Sequence, residues 1–176
     1  MQVTIVGGGM AGLVLARALA GRGITPTVLE AAPGDRSIPG PIMLPYQAYD
    51  ALREIGLYET IRSAGREIAP AADGTPVAIG IGRQFIIDQL REGVRIEYLH
   101  RVIDLLRDGE RVVGLRAATP AGERDFSADL VVGADGAHSN VRGLAGISAT
   151  LSAAPTASLS FRSPVMIEEP FAMAYQ

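Results

Sequence analysis

Cysteine, lysine and tryptophan are missing from the 176-residue sequence, and aromatic residues make up only 5% of it. Without cysteine the chain can form no disulfide, no thiolate metal site and no redox dithiol, so any redox chemistry must come from a bound cofactor. The low aromatic content means that the core must be built mainly from aliphatic side chains. The two histidines lie in different segments, and they predict no metal site.

Long apolar runs and blocks of one charge are missing as well. No apolar stretch reaches the roughly 18 residues of a membrane span, and the chain starts on a strand-like run rather than a signal peptide. The net charge is −3 and the charged residues are scattered, which predicts neither a nucleic-acid surface nor a membrane-binding face. A hydrophobic content of 48% therefore predicts a compact globular protein, and we expect it to be cytoplasmic, with no membrane or nucleic-acid partner.

The first thirty residues follow the order strand, glycine-rich turn, helix, strand. The strand-like run Gln2–Val6 precedes GGGMAG at 7–12, a helical pattern over 13–23 and a second short strand over 25–30. This order predicts a βαβ unit with parallel strands.

The glycine-rich turn fits the pattern G-x-G-x-x-G. In that pattern Gly7 makes the tight turn, Gly9 lets the backbone approach a pyrophosphate, and Gly12 lets the helix pack on the strand. The free amides at the start of the helix favour a phosphate. Glu30, at the end of the second strand, can accept hydrogen bonds from a ribose diol. We predict an adenine-dinucleotide site here; a glycine turn without a ligand, beside a surface Glu30, is the alternative.

The middle of the chain is less regular. Five Pro or Gly residues from Pro33 to Pro41 predict a loop over 31–44. Residues 46–64 have the pattern of two short helices broken near Gly56, and a loop is expected over 69–76. The stretch Arg83–Glu92 can bury one helical face.

From Val94 to Asp125 apolar residues alternate with polar ones, with turn residues at 108–109 and 121–122. This period of two predicts an antiparallel meander. A parallel-type strand then follows at Asp129–Val132. It ends in Gly-Ala-Asp-Gly, which would point the Asp135 carboxylate into the crevice at the sheet edge. Ser139 can cap the short helix that follows. The predicted fold is α/β and Rossmann-like, with a parallel sheet and the meander as a crossover.

Four stretches together resemble a known family. GGGMAGL at 7–13, VLE at 28–30, Arg83 before a helix and DLVVGADGAHSNVR at 129–142 resemble the FAD-dependent aromatic hydroxylases, the class A flavoprotein monooxygenases of the para-hydroxybenzoate hydroxylase type. The resemblance covers residues 2–147.

The resemblance implies FAD as the cofactor. The residues that it assigns to the cofactor are Gly7, Gly9, Met10, Ala11, Gly12, Glu30, Ala31, Arg36, Arg83, Asp135 and Gly136. The glycine loop and Glu30 would hold the ADP half. Arg83 would reach the pyrophosphate or ribityl region, and Asp135 would lie near the same groups. Arg36 matches an arginine that is frequent in the family, although a solvated loop charge explains it equally well.

The resemblance also implies an activity. Such an enzyme would use NAD(P)H as co-substrate to reduce FAD, and would hydroxylate an aromatic or polyketide-like small molecule. Because the cofactor performs the difficult chemistry, no catalytic side chain is predicted. A non-catalytic FAD- or nucleotide-binding module remains an alternative, as does another flavin enzyme of the same fold, such as a halogenase or a prenyl reductase.

The sequence departs from the family pattern in its second half. The family has a later Gly-Asp segment against the flavin, whereas the single Gly-Asp here is Gly34-Asp35. We therefore expect an FAD-binding domain over 1–148, with a loop and helical excursion over 31–80, and the start of a truncated substrate domain over 149–176. That second domain would be β-rich and incomplete, completed by a missing carboxyl-terminal half or by a second polypeptide.

Overall fold

A computed structural model describes residues 1–37, 40–68, 77–150 and 152. The chain forms two compact units. The described part of the first comprises Met1–Ser37 with residues 87–150 and 152, and that of the second comprises residues 40–68 and 77–86.

A four-stranded parallel sheet lies at the centre of the first unit. Its strands, in spatial order, are β10 (Leu130–Gly133), β1 (Val3–Val6), β2 (Thr27–Glu30) and β6 (Ile96–Tyr98). Helix α1 (Met10–Ala20) connects β1 to β2. The predicted βαβ unit and parallel sheet are thus confirmed. Because β2 and β10 pair with opposite sides of β1, the chain changes direction across the sheet there, which creates a crevice at the carboxyl ends of the strands.

The predicted antiparallel meander is also present. It consists of β7 (Arg101–Asp108), β8 (Arg111–Thr119) and β9 (Gly122–Ser127), paired in that order. It leads into β10, which is followed by the short helix α5 (Asn140–Leu144). The run at the start of the alternating region behaves differently from the rest: β6 pairs in parallel with β2 and leaves the meander to the three later strands.

The parallel sheet is covered on both faces. On one face Val3, Ile5 and Val28 form a buried cluster with Ala16 of α1. On the other face Val6 and Leu29 pack with buried residues of the meander and of α5, namely Val102, Leu105, Leu115, Ala117 and Val141. Strands that are buried on both faces are mainly apolar, and in β1 only Thr4 interrupts the apolar residues Val3, Ile5 and Val6, all four being buried. The result is the three-layer arrangement expected of a Rossmann-like fold.

The second unit contains a three-stranded antiparallel sheet and short helices. The strands, in spatial order, are β3 (Pro41–Pro45), β5 (Ala78–Gly82) and β4 (Arg66–Ile68). A 3₁₀ turn at Tyr46–Ala48 leads into α2 (Tyr49–Glu54), which is followed by α3 (Tyr58–Ala64). Helix α4 (Arg83–Arg91) begins in this unit and continues into the first.

The loop predicted over 31–44 is wrong at its carboxyl end, because β3 begins at Pro41. Prolines argue against a central strand, but β3 lies at an edge of its sheet, where a missing N–H leaves no partner unsatisfied. The two helices broken near Gly56 and the helix from Arg83 are confirmed. The loop expected over 69–76 and the substrate-domain segment expected over 149–176 fall outside the described residues, apart from 149, 150 and 152.

Among the described residues, no helix combines the length and the apolar character needed to span a membrane.

Burial in the meander gives a first test of this packing. Leu115 of β8 is fully buried, whereas 47% of Leu130 of β10 is exposed. We expect Leu115→Ala to lower the free energy of unfolding by about 2–5 kcal/mol, because it leaves a cavity between the two sheets. The matched change Leu130→Ala should lower the free energy of unfolding by less than about 1 kcal/mol. Equal losses for the two variants in urea denaturation would contradict the packing described here.

Candidate functional site

The glycine turn after β1 is held closely against its neighbours. Gly7 has a φ of +109°, and a Cβ atom placed there would lie 2.3 Å from the carbonyl oxygen of Ala134. A Cβ at Gly12 would lie 2.0 Å from the carbonyl oxygen of Gly7. Neither position can carry a side chain without moving backbone, so these two glycines let β1, β10 and α1 approach each other.

Gly9 has a different environment. It precedes α1 with an extended backbone, φ −78° and ψ 179°, and a Cβ atom placed there would meet no atom of the described residues within 4 Å. The first α-type hydrogen bond of the helix runs from the Leu13 amide to the Gly9 carbonyl at 3.0 Å, so the amides of Met10, Ala11 and Gly12 have no acceptor in that ladder. No side chain caps this helix end, and its first turn contains no acidic residue. These amides and the open space at Gly9 can receive an anion.

Glu30 ties the glycine turn to the segment after β2. Its Oε2 accepts a hydrogen bond from the Gly8 amide at 2.7 Å, and its Oε1 accepts one from the Ala32 amide at 2.7 Å. Each carboxylate oxygen has a further lone pair. The side chain can therefore accept hydroxyl groups of a ligand while it keeps its protein partners.

Asp135 lies in the loop after β10 and caps α5. Its Oδ1 accepts from the Ser139 hydroxyl at 2.5 Å, and its Oδ2 accepts from the amides of Asn140 at 2.7 Å and Val141 at 3.1 Å. Partial burial raises the pKa of Asp135, but the hydrogen bonds from Ser139 and from these two amides outweigh it, and the pKa lies below its ordinary value. The predicted cap by Ser139 is confirmed, since its Oγ accepts from the Arg142 amide at 3.0 Å.

Gly7, Glu30 and Asp135 border one cleft at the carboxyl edge of the parallel sheet. The cleft has a volume of about 490 Å³, within the usual range for small-molecule sites of about 300–1,000 Å³. Its lining comes from the ends of β1 and β2, from the segment between β10 and α5, from the first residue of α5, and from the start of β7 with the preceding corner. The residues are Val6, Gly7, Leu29, Glu30, Ala31, His100, Arg101, Val102, Ile103, Asp135, His138 and Asn140. It therefore brings together Gly7 of the glycine turn, Glu30 and Asp135.

The remaining predicted site residues lie in several places. Ala31 lines the cleft. Gly136 follows Asp135 with a φ of +92°. Arg36 is exposed in the loop after β2, and no hydrogen bond or ion pair of its side chain is seen among the described residues. Arg83 lies in the other unit, where its amide donates to the Gly40 carbonyl at 2.9 Å. The Nε of Arg83 is buried and has no hydrogen-bond partner in the described part of the chain.

Motif reasoning did not predict the cleft wall formed by residues 100–103. The backbone explains their position: His100 donates its amide to the Glu30 carbonyl at 2.9 Å, and Leu99 donates to Ala32 at 3.3 Å. Leu99 has a φ of +61°, the one non-glycine residue with a positive φ in the described segments. The position of residues 100–103 could have been predicted from the sheet topology alone, because a segment that follows a parallel strand lies at the same sheet edge as the segments after β1 and β2.

The His100 side chain is anchored in this wall. Its Nδ1 lies 2.7 Å from the Tyr98 carbonyl oxygen, which can only accept, so Nδ1 carries the proton. Its Nε2 is 3.4 Å from Glu97, and its ring meets the edge of Phe126 at a centroid distance of 5.7 Å. The cleft lining thus includes two carboxylates, the His100 imidazole and Arg101.

Comparison with known proteins agrees with this architecture. The family model described as pyridine nucleotide-disulphide oxidoreductase matches residues 1–161. The chain is 31% identical over 162 residues to the aurachin C monooxygenase/isomerase of Stigmatella aurantiaca, which covers 81% of this chain and 42% of that protein. It is 31% identical over 166 residues to the 3-amino-4-hydroxybenzoate 2-monooxygenase of Streptomyces cremeus, covering 81% and 41%.

Among solved structures, p-nitrophenol 4-monooxygenase from Pseudomonas putida DLL-E4 matches with a TM-score of 0.71 and 26% identity. The match covers 82% of this chain and 43% of that one. The chain thus spans less than half the length of these relatives. The predicted resemblance to flavoprotein monooxygenases is confirmed for the part that the chain contains.

The Asp135 cap predicts a pH-dependent stability. Because the pKa is lowered in the fold, the cap stabilises the protein above the unfolded pKa of about 3.9 and is lost as pH falls through the folded value. Asp135→Asn should reduce the free energy of unfolding by about 1–3 kcal/mol at pH 7. Below about pH 4 the difference in free energy of unfolding between variant and wild type should become smaller. Asp108→Asn, at the exposed end of β7, is the control and should cost under about 0.5 kcal/mol. If denaturant titrations show that the difference in free energy of unfolding between Asp135→Asn and wild type is the same at every pH, this role is disproved.

Proposed function

The chain belongs to the pyridine nucleotide-disulphide oxidoreductase family, and on that premise we propose that it is the FAD-binding part of a flavoprotein monooxygenase. The observation that carries the proposal is the placement of uncapped helix amides and a bonded carboxylate at one sheet edge. The amides start α1 beside the open space at Gly9, and Glu30 lines the cleft at the same sheet edge together with Gly7.

The residues of this edge fit the ADP half of FAD. A diphosphate needs donors and room, which the amides of Met10, Ala11 and Gly12 and the open side of Gly9 provide. A ribose diol needs acceptors, and Glu30 retains lone pairs after bonding Gly8 and Ala32. The protein therefore would bind the phosphates through backbone and the sugar through one side chain.

Four further residues belong to the proposal. Asp135 and Gly136 would lie near the ribityl and pyrophosphate groups, which their position after β10 favours. Arg83 would contact the pyrophosphate or ribityl region; in favour of this is its buried Nε, a donor that lacks an acceptor in the described residues. Arg36 would add a positive charge in the loop after β2.

When bound, FAD supplies the redox chemistry, accepting electrons from NADH or NADPH and activating oxygen for transfer to an organic substrate. The side chains named above bind and orient it. We propose an aromatic or polyketide-like small molecule as substrate, because relatives named for aminohydroxybenzoate and p-nitrophenol oxidation share this part of the fold. The proposal includes a cytoplasmic location.

The direct test is reconstitution with FAD. Purified chain is mixed with FAD, freed of excess by gel filtration and examined by visible absorption. We expect bound flavin near one equivalent, and bleaching of its bands by NADPH or NADH under anaerobic conditions. Absence of binding for both FAD and ADP would refute the proposal. Bound flavin that neither nucleotide reduces would instead indicate a binding module without redox function.

Gly9 provides a sharper test, because it separates binding from folding. Gly9→Val places its side chain in open space and needs no backbone change, so the fold should persist. FAD binding should weaken more than a hundred-fold, since the side chain occupies the room proposed for the pyrophosphate. Gly21→Val at the other end of α1, where a Cβ meets neighbours at an ordinary 3.6 Å, should bind FAD like wild type. Fluorescence titration measures both, and tight binding by Gly9→Val would disprove the assignment of the loop.

A further inference from the structure

The proposed nucleotide cleft has two walls that come from distant parts of the sequence. One wall is the start of β7 with its preceding corner, residues 100–103, and the other comprises Asp135, His138 and Asn140 from the segment after β10. The width of the cleft depends on how these two walls are held together. That width matters for the proposed ligand, because a flat base and ribose would have to fit between the walls.

Asn140 connects the two walls directly. Its side-chain Nδ2 donates to the Val102 carbonyl at 2.8 Å, and its backbone amide donates to Asp135 Oδ2 at 2.7 Å. A carbonyl oxygen can only accept, so this contact requires the NH₂ group of Asn140 and fixes which way the amide is turned. Asn140 is therefore bonded to one wall through its backbone and to the other through its side chain.

The backbone of β7 explains why Val102 can accept this bond. The ladder between β7 and β8 is irregular between Val102 and Asp104. An irregularity of this kind leaves ladder groups of the strand unpaired. A side chain from another segment can then take the place of the missing strand partner.

Other contacts between β7 and α5 are independent of the Asn140 hydrogen bond. Val102 and Val141 belong to the same buried cluster, and the Arg107 Nη2 donates to the Leu144 carbonyl at 3.1 Å. Arg107 is not among the cleft-lining residues. These contacts keep the two elements together in the absence of the Asn140 bond, so the contribution of Asn140 to the cleft can be separated from its contribution to folding.

We propose that Asn140 is a positioning residue of the nucleotide cleft, which sets the distance between its walls through the bond to Val102. The inference rests on the proposed function, since it concerns the cleft that holds the ADP half of the cofactor. It assigns a role to a residue that lies within the 129–142 motif but to which the FAD-binding prediction gave none.

Calorimetric titration with ADP, together with the thermal unfolding midpoint, tests this role. Asn140→Ala should raise the ADP dissociation constant by about three- to ten-fold, the effect of losing one hydrogen bond. Asn140→Asp keeps the size and an acceptor oxygen but cannot donate to Val102 when ionised, and it should weaken ADP binding at least as much. The matched control Arg107→Ala removes a side-chain bond between the same two elements and should leave ADP affinity unchanged, even where it lowers the unfolding midpoint.

The outcomes separate the possible failures. An Asn140→Ala variant that binds ADP like wild type overturns the role of Asn140 and leaves the proposed function intact. If Arg107→Ala weakens ADP binding as much as Asn140→Ala, the effect is a general loosening and the positioning role is likewise overturned. If Asn140→Asp binds ADP like wild type while Asn140→Ala does not, Asn140 acts as an acceptor for the ligand and not as a link between the walls. Wild-type protein that binds neither ADP nor FAD refutes the proposed function itself.

Discussion

The pairing of β1 with β2 on one side and β10 on the other is the constraint on which the site depends. Parallel strands end at the same sheet edge, so this pairing brings the glycine turn, Glu30 and Asp135 together although they lie far apart in sequence. The close approach is possible because Gly7 and Gly12 carry no side chain where backbone atoms would meet a Cβ at 2.3 Å and 2.0 Å. A glycine pattern usually discussed in terms of a ligand is thus required first by the packing of the protein itself, and Gly9 is the position left open.

The elements that the sequence predicted well are those with a local cause. The strand, turn and helix of the first βαβ unit, the meander and the Ser139 cap depend on periodicity, turn residues or a cap within a few positions. The edge strand β3 was not predicted, because its prolines look like loop residues until the neighbouring strand is known. Similarly, the three-residue β6 has no local feature that distinguishes it from the meander; only its pairing with β2 assigns it to the parallel sheet.

The site shows the same division. The glycine loop, Glu30 and Asp135 could be predicted because each follows a recognisable strand. His100 and Asn140 could not, because their presence in the cleft results from contacts between segments: His100 follows a corner bonded to Glu30, and Asn140 reaches Val102 at a sequence separation of 38. A sequence motif describes one segment of the chain, whereas the cleft wall at residues 100–103 is placed by tertiary contacts between segments.

The proposed diphosphate site lies beside a cleft with two carboxylates, and this arrangement requires an electrostatic explanation. Carboxylates near a phosphate are unfavourable unless their charge is compensated. Here Glu30 accepts the amides of Gly8 and Ala32, and Asp135 accepts a hydroxyl and two amides at the start of α5. Each carboxylate is thus satisfied by backbone donors that belong to its own surroundings, and neither caps α1. The amides at the start of α1 remain available because the acidic residues of the cleft have partners elsewhere, and this distribution of hydrogen bonds makes an acidic cleft compatible with an anionic ligand.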